Sequence, residues 1–120
     1  MKVALIGIAG AGGALARYAI GVAVGTRSFP WATLGINLTG SFLLGCVLAL
    51  GLERGWSETT TVPIAIGFLG AYTTFSTFSY ESFTLVRTER AGVAAIYIAA
   101  SVVGGLLAAF AGYALARRLA

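Results

Sequence analysis

The side chains able to do chemistry concentrate in residues 67–83, where Gly67, Gly70, Thr73, Thr74, Thr77 and Glu81 interrupt an apolar run. Thr74, Thr77 and Glu81 recur at three- and four-residue spacing, which puts them on one face of a helix, flanked by Phe75 and Phe78. A break around residues 70–74 would free backbone carbonyls for a cation and expose N–H groups that favour an anion. Phenyl edges carry positive potential. Turned toward a polar path, Phe75 and Phe78 would attract an anion; turned elsewhere, they are lipid contacts or core. Glu81 is the one carboxylate well inside an apolar run, and it either pairs with an Arg or Tyr or handles a proton or cation. Polar groups at bilayer depth are costly and mark function, so this stretch points to a transport pathway.

The elements that must position these groups are membrane spans. Of 120 residues, 58% are hydrophobic and only 10% charged, and the mean hydropathy is +0.92. A soluble domain carries about 25% charged residues. Four apolar runs, 3–24, 31–52, 62–86 and 91–115, each reach the roughly 20 residues that cross a bilayer. The expected architecture is all-α, a single four-helix membrane domain over residues 1–120 whose third helix is broken. Ala14-Leu15-Ala16 resembles a signal-peptidase site, but the run continues past it to Val24, so cleavage is not expected. One cysteine, Cys46, and no histidine exclude a disulfide framework, a zinc site and histidine-based catalysis.

The net charge of +4 would suggest nucleic acid in a soluble chain. In a membrane protein, Lys and Arg gather at helix ends, and no nucleic-acid partner is expected. With four spans, Lys2, Arg54, Arg117 and Arg118 share one side, against Arg27, Arg87 and Arg90 on the other, with Arg17 nearby. The positive-inside rule needs an imbalance to orient a chain, and this one has almost none. Copies inserting both ways would assemble naturally as an antiparallel, dual-topology homodimer.

Each remaining helix carries a polar or small-residue row. In the first, Gly10, Gly13, Arg17 and Gly21 share a face that admits close packing. Arg17 either snorkels to the interface beside Tyr18 or lines an aqueous vestibule and attracts anions. In the second, which should begin after Pro30, Thr33, Asn37, Ser41 and Gly45 recur every four residues. Asn37 exceeds what helix-packing glue requires, because its amide is costly to bury unpaired. In the fourth, Tyr97, Ser101 and Gly104-Gly105 align; facing the third helix, they would complete a path of hydroxyl donors.

No nucleophile–base pair, paired carboxylates or phosphate loop is present, so an enzyme is not expected. Neutral donors such as Asn37, Thr74, Thr77, Tyr97 and Ser101 suit a small anion, replacing its hydration without trapping it. Three segments together resemble the Fluc (CrcB) family of fluoride channels: Gly12-Gly-Ala-Leu-Ala-Arg17-Tyr18, Trp31-Ala-Thr-Leu-Gly-Ile-Asn37-Leu-Thr-Gly-Ser41-Phe42, and Gly67 through Thr73-Thr-Phe75-Ser-Thr-Phe78-Ser-Tyr-Glu81.

The resemblance implies a multi-pass protein of the cell (inner) membrane. It would act as an antiparallel homodimer with two pores and export fluoride passively from the cytoplasm. It also implies a structural sodium ion held by the backbone carbonyls of Gly70 and Thr73 from each subunit. Phe75 and Phe78 match the phenylalanines whose edges face fluoride. Asn37 matches the pore asparagine, and Thr74, Thr77, Glu81, Tyr97 and Ser101 the polar track. Arg17 matches the vestibule arginine. Ala71-Tyr72 departs from the small pair common before the threonines, and Gly105 stands where another hydroxyl would be expected. The competing reading is a small multidrug-type proton-coupled cation exporter. It needs a membrane-embedded carboxylate, for which Glu81 is the one candidate.

Overall fold

The computed structural model describes every residue, Met1–Ala120, and is helical throughout. α1 (Lys2–Val24) and α2 (Trp31–Glu53) are followed by a composite third span and then by α6 (Ala91–Leu119). The third span opens with α3 (Glu58–Val62), widens into a π-helix (Pro63–Leu69) and closes its first half with α4 (Gly70–Tyr72); α5 (Phe75–Arg87) is its second half. Four helical stretches, the composite one taken as Glu58–Arg87, are long and apolar enough to cross a membrane. Only 17 of 120 residues are buried, and large side chains such as Ile8, Leu15, Ile66 and Phe110 stand exposed. That surface is unsuited to water and suited to acyl chains.

Local chemistry sets the element ends. α1 stops at Gly25, whose φ of 68° is open to glycine at no steric cost. Pro30 precedes the first residue of α2. Pro63, lacking an N–H for the carbonyl four residues back, stands where the helix widens. The non-helical residues are narrower than the 70–74 stretch the sequence suggests. Gly70–Tyr72 remain helical, and only Thr73 (φ −78°, ψ 157°) and Thr74 (φ −149°, ψ 116°) are extended.

Those two residues redirect the chain. Before them the third span packs on α1; after them α5 packs on α6, and α6 touches no part of the first half. Close approach between helices rests on glycine. A Cβ at Gly13 would strike the Phe68 carbonyl, one at Gly45 the Ala109 carbonyl, and one at Gly112 the Phe42 carbonyl. With those positions bare, α2 and α6 meet backbone to backbone, as small residues allow in membranes. A small core of Leu34, Leu85, Ala94 and Tyr97 ties α2, α5 and α6 together below the break. At one end of the molecule, ion pairs join Lys2 to Glu58 (2.7 Å) and Arg117 to Glu53 (3.3 Å).

Gly112→Val is expected to destabilise the protein by about 1–3 kcal/mol through overpacking against α2. Gly35→Ala, where a Cβ meets nothing within 4 Å, should not destabilise it, Ala favouring a helix interior over Gly. Unfolding of both variants in detergent micelles by circular dichroism checks the contrast.

Candidate functional site

The break leaves backbone groups that no helix can satisfy, and α2 supplies the partner. Asn37 accepts the Thr74 N–H at its Oδ1 (2.9 Å) and donates from Nδ2 to the Thr74 carbonyl (3.2 Å). The side chain thus stands in for a neighbouring strand. Gly40, one turn on, lets α2 come this near: a Cβ there would collide with the Thr73 methyl and crowd the Tyr72 ring. Thr74 in turn caps α5, its hydroxyl accepting the Thr77 N–H (3.2 Å) and donating to Thr77 Oγ1 (3.1 Å). The Thr73 hydroxyl folds back on the Leu69 carbonyl (2.9 Å).

The carbonyls of Gly70 and Thr73, at the break, accept no hydrogen bond. Both residues line a cavity of about 260 Å³ with Asn37, Ser41, Thr74 and Phe75. No cluster of side-chain ligands for a metal exists in the chain. Free carbonyl oxygens are among the ligands a hard cation takes.

On the other side of Thr74 lies a larger cleft, about 590 Å³, between α1, α2 and α5. Arg17, Thr33, Thr74, Thr77 and Glu81 face it. Arg17 is partly buried and donates from Nε to the Ala71 carbonyl (3.1 Å), another acceptor close to the break. Its guanidinium is thereby held at the cleft wall beside Tyr18, which is exposed. Glu81 forms the floor. Its Oε1 accepts from the Thr33 hydroxyl (2.9 Å) and its Oε2 from the Tyr97 hydroxyl (2.7 Å). Thr33 and Tyr97 are both buried, so one carboxylate joins α2, α5 and α6 through two hydroxyl donors.

The aromatic residues separate by exposure. Phe78 packs on the Tyr97 ring (centroids 5.3 Å apart), and Phe29 meets Tyr97 edge-on at 5.6 Å. Phe75 lies 5.6 Å from Phe78 but is 79% exposed on the open face of the chain. The α6 row also divides. Tyr97 meets Glu81, whereas Gly104 and Gly105 lie against Leu38 and Ser41 of α2. A row facing the third helix along its length is thus not what forms, because above the break that span has crossed to α1. The Ser101 hydroxyl is buried without a partner. Thr33, which spacing alone places in a packing row, is part of the site. Its four-residue offset from Asn37 was the available signal.

Residues 4–113 match the family described as CrcB-like protein, Camphor Resistance (CrcB). The chain belongs to the CrcB family. Among curated relatives, a protein of Geobacillus kaustophilus named fluoride-specific ion channel FluC 2 is 48% identical over 116 residues, 93% of this chain and 90% of its own length. A Clostridium acetobutylicum protein of the same name is 46% identical over 111 residues, 90% and 92% of the two chains. A fluoride-specific ion channel FluC of Thermus thermophilus is 43% identical over 114 residues, 92% and 90%. With its four spans, this member of the family is a multi-pass membrane protein.

Asn37→Asp keeps an acceptor for the Thr74 N–H but removes the donor to the Thr74 carbonyl. Leaving that carbonyl unpaired should cost about 1–3 kcal/mol, and Asn37→Leu, which loses both bonds, should cost more. Denaturant unfolding of the two variants beside the parent protein gives the ranking.

Proposed function

We propose that the chain is a fluoride channel that lets the ion leave the cytoplasm passively. What carries the reading is its 43–48% identity, over nine-tenths of its length, to proteins named fluoride-specific ion channel. The cleft chemistry supports it. Fluoride is strongly hydrated, and a path for it must offer donors in succession. Arg17 at the cleft wall and the Thr77 hydroxyl offer N–H and O–H groups not spent within the chain, and the hydroxyls of Thr33, Thr74 and Tyr97 would turn from Glu81 and Thr77 to join them, with the Phe78 ring packed on Tyr97. No coupling is needed, since an interior potential of −100 mV alone drives an anion outward by about 2.3 kcal/mol.

The working unit in this reading is an antiparallel homodimer of chains inserted both ways, with two pores. The exposed Phe75, Ser76 and Ser79 on α5 give a second copy a polar and aromatic face to cover. The interruption at Thr73 and Thr74 would lie at the dimer axis. There the free carbonyls of Gly70 and Thr73 would hold a structural sodium. Two oxygens are fewer than a hard cation takes, so a partner bringing its own pair completes the set. The ion would supply positive charge that satisfies carbonyls lipid cannot reach. Asn37, Thr74 and Arg17 do the chain's part, fixing the backbone on either side of those carbonyls. Ser101, whose hydroxyl has no partner within the chain, would give the path one further donor. The cation-exporter reading is weaker, because both Glu81 oxygens are engaged by hydroxyl donors.

Purified protein in liposomes should release fluoride to an electrode on addition of a potassium ionophore and retain chloride. Phe78→Ile should abolish the release while leaving the dimer intact by size-exclusion chromatography. Release of chloride at the fluoride rate, or undiminished release by the variant, rejects the assignment.

A further inference from the structure

Beyond Glu81 lies a second chamber, which adjoins the Arg17 cleft. It is a cavity of about 400 Å³ between the loop joining α1 to α2 and the outer end of α5. Arg27, Arg90 and Trp31 line it, and Glu81 closes its inner end. Thr26, Ala32 and Glu81 belong to the walls of both chambers, so the loop forms a lip between them. Its shape is tied down at both ends. Arg27 Nε donates to the Val24 carbonyl (3.0 Å), and Arg90 Nη1 reaches across to the Ser28 carbonyl (2.6 Å).

Each guanidinium therefore uses one donor on a neutral carbonyl and keeps its other N–H groups and its whole charge. Neither has a carboxylate partner, since the ion pairs of the chain lie at its opposite end. The wall holds one carboxylate, Glu81, against these two guanidiniums, and its oxygens accept from the hydroxyls of Thr33 and Tyr97. Arginines at helix ends are ordinary in membrane proteins. Two of them tethered around a concavity that meets the cleft is a more specific arrangement. A recess in which one sign of charge is in excess concentrates ions of the other, and the effect fades as salt shortens the Debye length.

We infer that this chamber is an anion-collecting mouth, in which Arg27 and Arg90 raise the local concentration of a small inorganic anion before it passes the lip toward Thr33 and Glu81. The identity of the anion rests on the channel reading; its charge does not. The first test is therefore independent of flux. Trp31 lines the chamber and is 60% exposed, while Trp56 sits at the other end of α2. In a Trp56→Phe background at low ionic strength, iodide should quench Trp31 fluorescence about threefold more strongly than in the Arg27→Gln/Arg90→Gln protein. Quenching by neutral acrylamide should be equal in the two, and Arg27→Lys/Arg90→Lys should retain the iodide effect. Equal iodide quenching with and without the two charges overturns the inference.

The second test reads transport. At subsaturating fluoride the Gln/Gln protein should release the ion about threefold more slowly at low ionic strength, the gap closing in high salt. A loss of the same size at every salt concentration also overturns the inference. Intact iodide quenching in a protein that moves no fluoride would instead reject the channel reading and leave the chamber's role standing.

Discussion

Backbone hydrogen bonding in lipid is the constraint on which this structure turns. A bilayer offers no water to an unpaired N–H or carbonyl, so a helix can open at membrane depth only where protein closes the gap. Asn37 closes it at Thr74, one amide matching one peptide group. Thr74 then starts α5 with its own hydroxyl, and Arg17 takes the Ala71 carbonyl. Each of the three side chains reads as a polar anomaly in an apolar run. Together they stabilise an opening that would otherwise cost several kcal/mol per orphaned group.

The opening changes which helices touch. A straight third span would keep one neighbour along its length. Interrupted at Thr73 and Thr74, it packs first on α1 and then on α6, with α2 crossing both halves near the turn. Gly40 permits that crossing, and Gly13, Gly45 and Gly112 bring the flanking backbones together. Close backbone contact replaces the hydrophobic driving force that a soluble bundle would use. It also leaves room beside α5 for a polar concavity.

Electrostatics within that concavity is spare. Glu81, the one acidic group at depth, is held by two buried hydroxyls and not by a cation. Arg17, and at the loop end Arg27 and Arg90, each donate to a backbone carbonyl and form no ion pair within the chain. In the proposed channel, positive charge at the edges and hydroxyls inside would attract an anion without trapping it.

The four apolar runs, Pro30 ahead of α2, and the polar residues gathered in 67–83 were legible from spacing and composition alone, because bilayer thickness and helical period leave few alternatives. The Fluc (CrcB) resemblance was legible too, carried by Asn37, Thr74, Phe75, Phe78 and Glu81 at fixed intervals. Spacing could not say that Tyr97 and Thr33 would both meet Glu81, nor that Gly104 and Gly105 would face α2. Nor could it say that Arg17 would reach a carbonyl of another span. Periodicity assigns a residue to a face of its own helix; which neighbour that face meets depends on where the third span bends. That bend is decided by long-range contacts, chiefly between residues 37 and 74, which no local pattern encodes.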